Sequence, residues 1–188
     1  MGACRLSKNQ LDSRGNRSSG WGVNENRGNK PYIPPLGWIG IGLKVMDKYD
    51  NNNTWIGMSN VQGEWCVAYH GVGSGSSSDD VKNITGSIYK GAFRAGGRQA
   101  HRSCPDRYHP GRTVGDGVYC TPRPDIAEAY AGISVINGKR YKTVLMVRVK
   151  PIAIRNCANC YDAKDDLYWV VNGTTDEIRP YRILYKEC

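Results

Sequence analysis

Three groups of side chains in the middle of the chain could take part in ligand binding or catalysis. His70 ends the short apolar run VAYHGVG, Tyr119 and Tyr130 lie eleven residues apart in GDGVYCTPRPDIAEAY, and five arginines fall within residues 94–114. An imidazole can hydrogen-bond or carry a proton, tyrosine rings can stack on a flat ring, and arginine forks pair with phosphate. Each group alone also fits an ordinary role, as a structural histidine, as core aromatics or as a solvated loop.

Short strands, turns and few helices must position these residues. Glycine, proline and asparagine are frequent, and Val, Ile, Tyr and Trp recur in short runs, which is typical of a strand-rich fold with long loops. EWCVAYHG (64–71) predicts a central strand because it is apolar throughout, and residues 76–93 predict a helix. GVYCTP (117–122) predicts a short strand, followed by a helix over PDIAEAYA (124–131). Residues 94–114 predict a long loop, which is usually functional at such a length.

Length and composition predict one domain with an extension. Residues 1–30 are polar and glycine-rich and predict an N-terminal tail, and residues 31–188 predict a single domain. The net charge of +9 favours anionic partners such as nucleotides or nucleic acid, or reflects only a basic surface. No run is long and apolar enough for a membrane span, so we expect no membrane partner. We also expect a monomer.

The seven cysteines are irregularly spaced, which predicts reduced thiols in the cytoplasm or nucleus. Cys157 and Cys160 have the Cys-x2-Cys spacing of a zinc half-site, which Cys104 with His101 or His109 would complete. Because no second such pair occurs and the two regions are far apart in sequence, we expect no bound metal. A disulfide between Cys157 and Cys160 is the alternative if the protein is secreted.

The order of the motifs resembles the catalytic domain of the diphtheria-toxin-like and poly(ADP-ribose)-polymerase-like ADP-ribosyltransferases. That family has a strand ending in His-Gly, a Gly-x-Gly-[Ile/Val]-Tyr strand, a second tyrosine eleven residues on, and a Glu-Tyr-Val-Val-type strand close before an Ile-x-Pro-x-Tyr-like strand. The matches, within residues 64–186, are Tyr69-His70-Gly71, Gly115-Asp116-Gly117-Val118-Tyr119, Tyr130, YWVV (168–171) and IRPYRIL (178–184). The resemblance implies an α+β, ADP-ribosyltransferase-like fold of two small, mostly antiparallel β-sheets packed together with a few short helices.

The resemblance also implies roles for individual residues. His70 would hydrogen-bond the nicotinamide-side ribose of NAD, and Gly71 would offer its backbone to the nicotinamide amide. Tyr119 and Tyr130 would pack against the two faces of the nicotinamide ring, so we expect His70 and Tyr119 in one cleft on neighbouring strands. Ala127 stands where the family often has a serine that hydrogen-bonds the nicotinamide amide.

Two further roles concern charge. The basic loop occupies the family's donor-loop position, where Arg94, Arg98 and Arg102 would pair with the pyrophosphate of NAD. The family's glutamate, which stabilises the oxocarbenium-like transition state, has no counterpart here, because Leu167 or Tyr168 falls at its place. Asp166 is the shifted carboxylate that would take over this catalytic role.

These assignments predict an NAD-dependent ADP-ribosyltransferase. It would break the nicotinamide–ribose bond of NAD, its substrate, and pass ADP-ribose to a protein or nucleic-acid acceptor. Because the elongation glutamate is missing, we expect transfer of single units. One alternative is a catalytically silent module of the same fold that binds NAD, ADP-ribose or nucleic acid. A second alternative is a tRNA 2′-phosphotransferase-like enzyme, which also uses NAD.

Overall fold

The computed structural model describes residues 6–23, 25–50, 52–73, 85–91, 93–95, 101–158 and 166–188. The strands in these residues are β1 (Asn26–Arg27), β2 (Lys30–Pro31), β3 (Ile39–Gly42), β4 (Cys66–Gly71), β5 (Val118–Cys120), β6 (Ile133–Ile136), β7 (Lys139–Val149), β8 (Trp169–Val171) and β9 (Ile178–Glu187). Helix α1 includes residues 85–90 and α2 spans Pro124–Ala129. Short 3-10 helices lie at Lys8–Gln10, Ser13–Gly15, Asn53–Ile56 and Pro151–Ala153.

A five-stranded sheet forms the centre of the fold. Its strands follow the order β3-β9-β7-β4, with β6 paired to β7, and every pairing is antiparallel. Strands β5 and β8 form a second, two-stranded antiparallel sheet, and β1 and β2 form a third. The predicted class, α+β with mostly antiparallel sheets and a few short helices, is confirmed.

Both faces of the five-stranded sheet are buried. Side chains alternate along a strand, so Val144 and Met146 of β7 enter one hydrophobic cluster while Leu145 and Val147 enter the other. Strand β4 is divided between the same two clusters, which explains why its sequence is apolar throughout. The predicted strand is confirmed, but it lies at the end of the hydrogen-bonding order instead of its centre.

The described residues before β3 pack against the sheet. Arg17 forms a backbone bridge with Gly40, and Trp21 is buried in the aromatic cluster on one face of the sheet. A Cβ on Gly40 would lie 2.6 Å from the Trp21 ring, so the glycine makes room for the indole. A few apolar anchors therefore attach a segment whose composition is otherwise polar.

The helices that the structure describes are short. Helix α2 confirms the helix predicted over 124–131, with Pro124 in its first turn, where the missing N–H costs nothing. Residues 85–90 confirm part of the helix predicted over 76–93, and residues 76–84 lie outside the described part of the chain. None of these helices combines the length and apolar character needed to cross a membrane.

One pair of hydrogen bonds joins the two main sheets. The N–H of Tyr69 donates to the carbonyl of Thr121 at 2.8 Å, and the N–H of Thr121 donates back at 3.0 Å. Tyr69 immediately precedes His70 at the end of β4, and Thr121 immediately follows β5, which carries Tyr119. The bridge therefore sets the end of β4 beside β5.

Candidate functional site

A cleft of about 850 Å³ opens where the two sheets meet. Its walls come from the end of β4, from β5 and from α2, and its polar and aromatic side chains include His70, Arg94, His101, Tyr119, Tyr130 and Tyr168. Its volume falls in the range of small-molecule sites. No aspartate or glutamate is among the described residues that line it. The cleft therefore suits a flat, electron-poor or anionic ligand.

The imidazole of His70 is fixed by two contacts. Its Nδ1 lies 2.8 Å from the carbonyl oxygen of Tyr119, and Phe93 meets the ring edge to face with centroids 5.2 Å apart. Because a carbonyl oxygen only accepts, Nδ1 carries the proton, and Nε2 of the neutral ring is an acceptor. Burial lowers the pKa of His70, an effect that the hydrogen bond to Tyr119 only partly opposes. At neutral pH the ring can therefore accept a hydrogen bond from a ligand hydroxyl.

The lowered pKa of His70 predicts a pH-dependent contribution to stability. Its folded pKa lies below the unfolded value of about 6.5, so the unfolded chain binds the proton first as the pH falls. The contribution is complete above about pH 6.5 and is lost on acidification. We expect the free energy of unfolding of the wild type to fall relative to that of His70→Asn between about pH 7 and about pH 5. Denaturant titrations across this range measure the difference, and a constant difference would contradict the expectation.

Tyr119 reaches the cleft from β5, and His101 holds its hydroxyl. The backbone N–H of His101 donates to the hydroxyl oxygen at 2.9 Å. Burial raises the pKa of Tyr119, so the hydroxyl stays protonated and can donate to a ligand. The His101 ring lies 6.0 Å from the Tyr119 ring and 5.9 Å from the Tyr168 ring, measured between centroids. His101 thus belongs to the cleft, whereas the sequence analysis considered it only for a metal site.

Tyr130 and Tyr168 face each other across the cleft opening. Their rings meet edge to face with centroids 6.3 Å apart, and their hydroxyls are separated by 3.4 Å. Strand β8 pairs with β5 so that Val170 lies opposite Tyr119, and alternation then puts Tyr168 on the same side as Tyr119. Of the two residues that could occupy the position where the resemblance implies a glutamate, Tyr168 and not Leu167 therefore lines the cleft.

Gly71 lies against the end of α2. A Cβ there would be 2.6 Å from the carbonyl oxygen of Ala127 and 2.9 Å from the carbonyl carbon of Tyr130. The absent side chain makes room for this backbone. Gly71 thereby sets the position of Tyr130. The role implied by the resemblance concerned only the close approach of the nicotinamide amide to the backbone of Gly71. Ala127 lines the cleft and has no side-chain donor or acceptor for a ligand.

Substituting Gly71 with alanine should therefore disturb α2 itself. We expect Gly71→Ala to lower the free energy of unfolding by about 3 kcal/mol, because the contacted atoms belong to backbone and cannot rotate away. Gly138→Ala is the control, since its surroundings are open and only its φ of +78° opposes a side chain, at a cost of about 1 kcal/mol. Denaturant titration measures the free energy of unfolding of both variants. If Gly71→Ala is no less stable than Gly138→Ala, this explanation of the glycine is wrong.

The structure brings one of the three predicted phosphate ligands, Arg94, to the cleft. Arg94 lines it with an exposed side chain, and Arg98 lies outside the described residues. The neighbouring Arg102 pairs with Asp116, with its Nε 3.4 Å from a carboxylate oxygen. Arg94 is therefore the described arginine that can meet an anionic group bound in the cleft.

Asp166 is not among the described residues that line the cleft. One carboxylate oxygen lies 3.0 Å from Lys30 Nζ, and the other accepts from the Tyr108 hydroxyl and the Asn156 amide, each at 2.6 Å. Lys30 belongs to β2, so the carboxylate ties β2 to the segment before β8. Both carboxylate oxygens are therefore engaged in a structural contact, which argues against the expected catalytic role.

We expect Asp166→Asn to change stability and not chemistry. Loss of the charged partner of Lys30 should lower the free energy of unfolding by about 1–2 kcal/mol, while the NAD binding and nicotinamide release that the resemblance implies should stay at the wild-type level. Asp125→Asn is the matched control, because its exposed carboxylate forms a surface ion pair with Arg123, and the substitution should change neither quantity. A drop in nicotinamide release of about a hundredfold in Asp166→Asn, with stability unchanged, would restore the catalytic role.

Comparisons of this chain with models of protein families and with curated proteins found no match. Its function is therefore inferred from the geometry of the cleft and from the order of the motifs that build it.

Proposed function

We propose that this protein is an NAD-dependent ADP-ribosyltransferase that transfers single ADP-ribose units, with the cleft as its NAD site and an ADP-ribosyltransferase-like fold around it. The observation that carries the proposal is the convergence of His70 and Tyr119. They are 49 residues apart in sequence, yet the His70 ring bonds the Tyr119 backbone at 2.8 Å and both line the cleft with Tyr130. The motif order led us to expect this grouping.

The cleft offers a partner for each part of NAD. Nε2 of His70 is the acceptor for a ribose hydroxyl. The rings of Tyr119 and Tyr130 flank the nicotinamide, and their electron-rich faces attract its positive charge. Arg94 is placed to pair with the pyrophosphate. The absence of carboxylates among the described lining residues avoids repulsion of the phosphates.

The reaction separates nicotinamide from ribose. The bond between ribose C1′ and the nicotinamide nitrogen breaks, and its electron pair leaves with the now neutral nicotinamide. The acceptor nucleophile then bonds to C1′ and loses its proton. The protein contributes by holding the ring and ribose in place, and the faces of Tyr119 and Tyr168 supply negative potential near the developing cation. Without a carboxylate such stabilisation is modest, which favours slow single transfer over chain growth.

A second candidate follows from the same lining. Since no aspartate or glutamate lines the cleft among the described residues, a catalytically silent module that binds NAD or ADP-ribose fits the geometry as well. The two candidates share the binding site and differ only in whether the C1′–nitrogen bond breaks.

Doubly labelled NAD distinguishes these candidates. The protein is incubated with NAD labelled in the nicotinamide and, separately, in the adenine, with and without cell lysate. We expect free nicotinamide together with single adenine-labelled units on macromolecules, and neither product with His70→Ala. Saturable NAD binding without nicotinamide release would establish the silent module. Failure to bind NAD at all would overturn both candidates.

A further inference from the structure

The turn at residues 101–104 and the segment at 155–158 lie side by side, although they are far apart in sequence. The N–H of Arg107 donates to the carbonyl of Asn156 at 2.7 Å, and the N–H of Ala158 donates to the carbonyl of Pro105 at 2.9 Å. These bonds place Cys104, which precedes Pro105, beside Cys157, which precedes Ala158.

A buried carboxylate reinforces this junction. Asp106, whose side chain is 1% exposed, accepts from the N–H of Asn156 at 3.2 Å and from the His109 ring at 2.6 Å. Because buried carboxylates are stable only when paired, Asp106 fixes the junction firmly. His109 is engaged there, which leaves His101 as the histidine that faces the two cysteines.

Three metal-binding side chains meet at the junction. A ring nitrogen of His101 and the sulfur atoms of Cys104 and Cys157 all lie within 4.8 Å of one another. Ligand atoms around a tetrahedral zinc ion are about 3.6 Å apart, so rotations that move them by about 1 Å would close the site. The N–H of Cys104 donates to the carbonyl of His101 at 3.0 Å, which closes the turn carrying two of the ligands.

The state of Cys157 makes the site conditional. Cys157 is disulfide-bonded in this structure, which differs from the expected reduced thiols. A dithiol reductant would give two electrons and two protons to this disulfide and itself become a disulfide, leaving Cys157 as a thiol. Each thiol then loses its proton when it binds the metal.

We propose that His101, Cys104 and reduced Cys157 form a Zn²⁺ site, with the fourth position open to water or a further ligand. This replaces the expectation of no metal, which was based on the separation in sequence between Cys104 and the Cys-x2-Cys pair. The pair His101-x2-Cys104 is a second half-site of similar spacing, and the fold brings it to Cys157. Cys160 lies outside the described residues and does not enter the argument.

Zinc binding at this place would act on the cleft through His101. The same residue donates its backbone N–H to the hydroxyl of Tyr119 and packs its ring near Tyr168. A metal bound to the His101 ring would therefore hold one wall of the cleft in place. Because the metal binds only when Cys157 is reduced, the rigidity of that wall would depend on the redox state of Cys157.

Zinc stoichiometry tests the proposal independently of NAD. The full chain is reduced with a phosphine, loaded with Zn²⁺, freed of excess metal and assayed by elemental analysis. We expect one zinc per reduced chain, and none in the oxidised chain, in Cys104→Ser or in His101→Gln. Cys188→Ser is the matched control, because Cys188 is an exposed thiol at the last residue, and it should retain the zinc.

Cobalt substitution adds a spectroscopic measurement. Reduced wild type loaded with Co²⁺ should show thiolate-to-cobalt charge-transfer absorption that weakens in Cys104→Ser. If circular dichroism shows that Cys104→Ser does not fold, His101→Gln replaces it as the test. His101→Gln should keep its fold and lose the zinc. Absence of zinc from the reduced wild type, or full retention in His101→Gln, would overturn the proposal. Equal zinc in the oxidised chain would overturn its redox dependence.

Discussion

Replacing His70 with alanine should reduce NAD turnover by about a hundredfold or more, because the ribose loses the group that orients it. The substitution removes the Nε2 acceptor and also leaves the carbonyl of Tyr119 without its 2.8 Å partner. The ring of Phe93 would no longer pack against a fixed imidazole. NAD affinity should fall because the bound ribose loses a contact, and nicotinamide release at saturating NAD should also fall because the ribose is no longer held in the reacting geometry.

His70→Asn separates the two functions of the imidazole. The asparagine amide can donate from about the position of Nδ1, so the bond to the Tyr119 carbonyl and most of the stability should return. It offers no acceptor at the place of Nε2, so NAD affinity should stay low. Wild-type NAD affinity in His70→Asn would show that the ribose is not held by Nε2.

Arg148→Met should lower the free energy of unfolding by about 3–5 kcal/mol, the range found when one partner of a buried ion pair is removed. Arg148 lies on β7 and is 3% exposed. It donates to the carbonyls of Trp65 at 2.7 Å, Ile56 at 3.1 Å and Gly57 at 2.6 Å, and lies 3.4 Å from a Glu64 oxygen. Removing the guanidinium leaves these acceptors buried without their donor.

Two further variants check the cause of this loss. Glu64→Gln in the Arg148→Met background should recover part of the stability, because it removes the uncompensated buried charge. Arg17→Met is the control, because Arg17 is exposed and should change stability by less than about 0.5 kcal/mol. Denaturant titrations measure the free energy of unfolding of the wild type, the two single variants and the double variant. A loss below about 1 kcal/mol in Arg148→Met would mean that the ion pair is no better than a well-packed hydrophobic side chain.

The motifs predictable from the sequence are those whose structure depends on near neighbours. The strand ending at His70 and the helix at 124–129 follow from apolar pattern, proline placement and glycine turns. The grouping of His70 with Tyr119 followed from motif order, because consecutive strands of such a motif set pack together. The side on which Tyr168 lies also follows from alternation, once β8 is known to pair with β5.

The parts that the sequence did not predict depend on contacts between distant residues. Asp166 has a plausible position for catalysis in the sequence, yet its partner Lys30 is 136 residues away. Trp21 lies in a polar stretch, and only the surface presented by β3 gives it a buried place. No local pattern encodes such pairings, since they arise from the packing of the whole chain.

Calorimetric titration of NAD into the protein tests the central claim most directly. If the cleft is an NAD site, the wild type should bind NAD saturably, and this binding should be lost in Tyr119→Ala and in His70→Asn. Tyr185→Ala should bind NAD as the wild type does, because Tyr185 lies on β9, packs against Tyr141 and does not line the cleft. Absence of binding by the wild type, or equal binding by Tyr119→Ala and Tyr185→Ala, would contradict the assignment of the cleft as an NAD site.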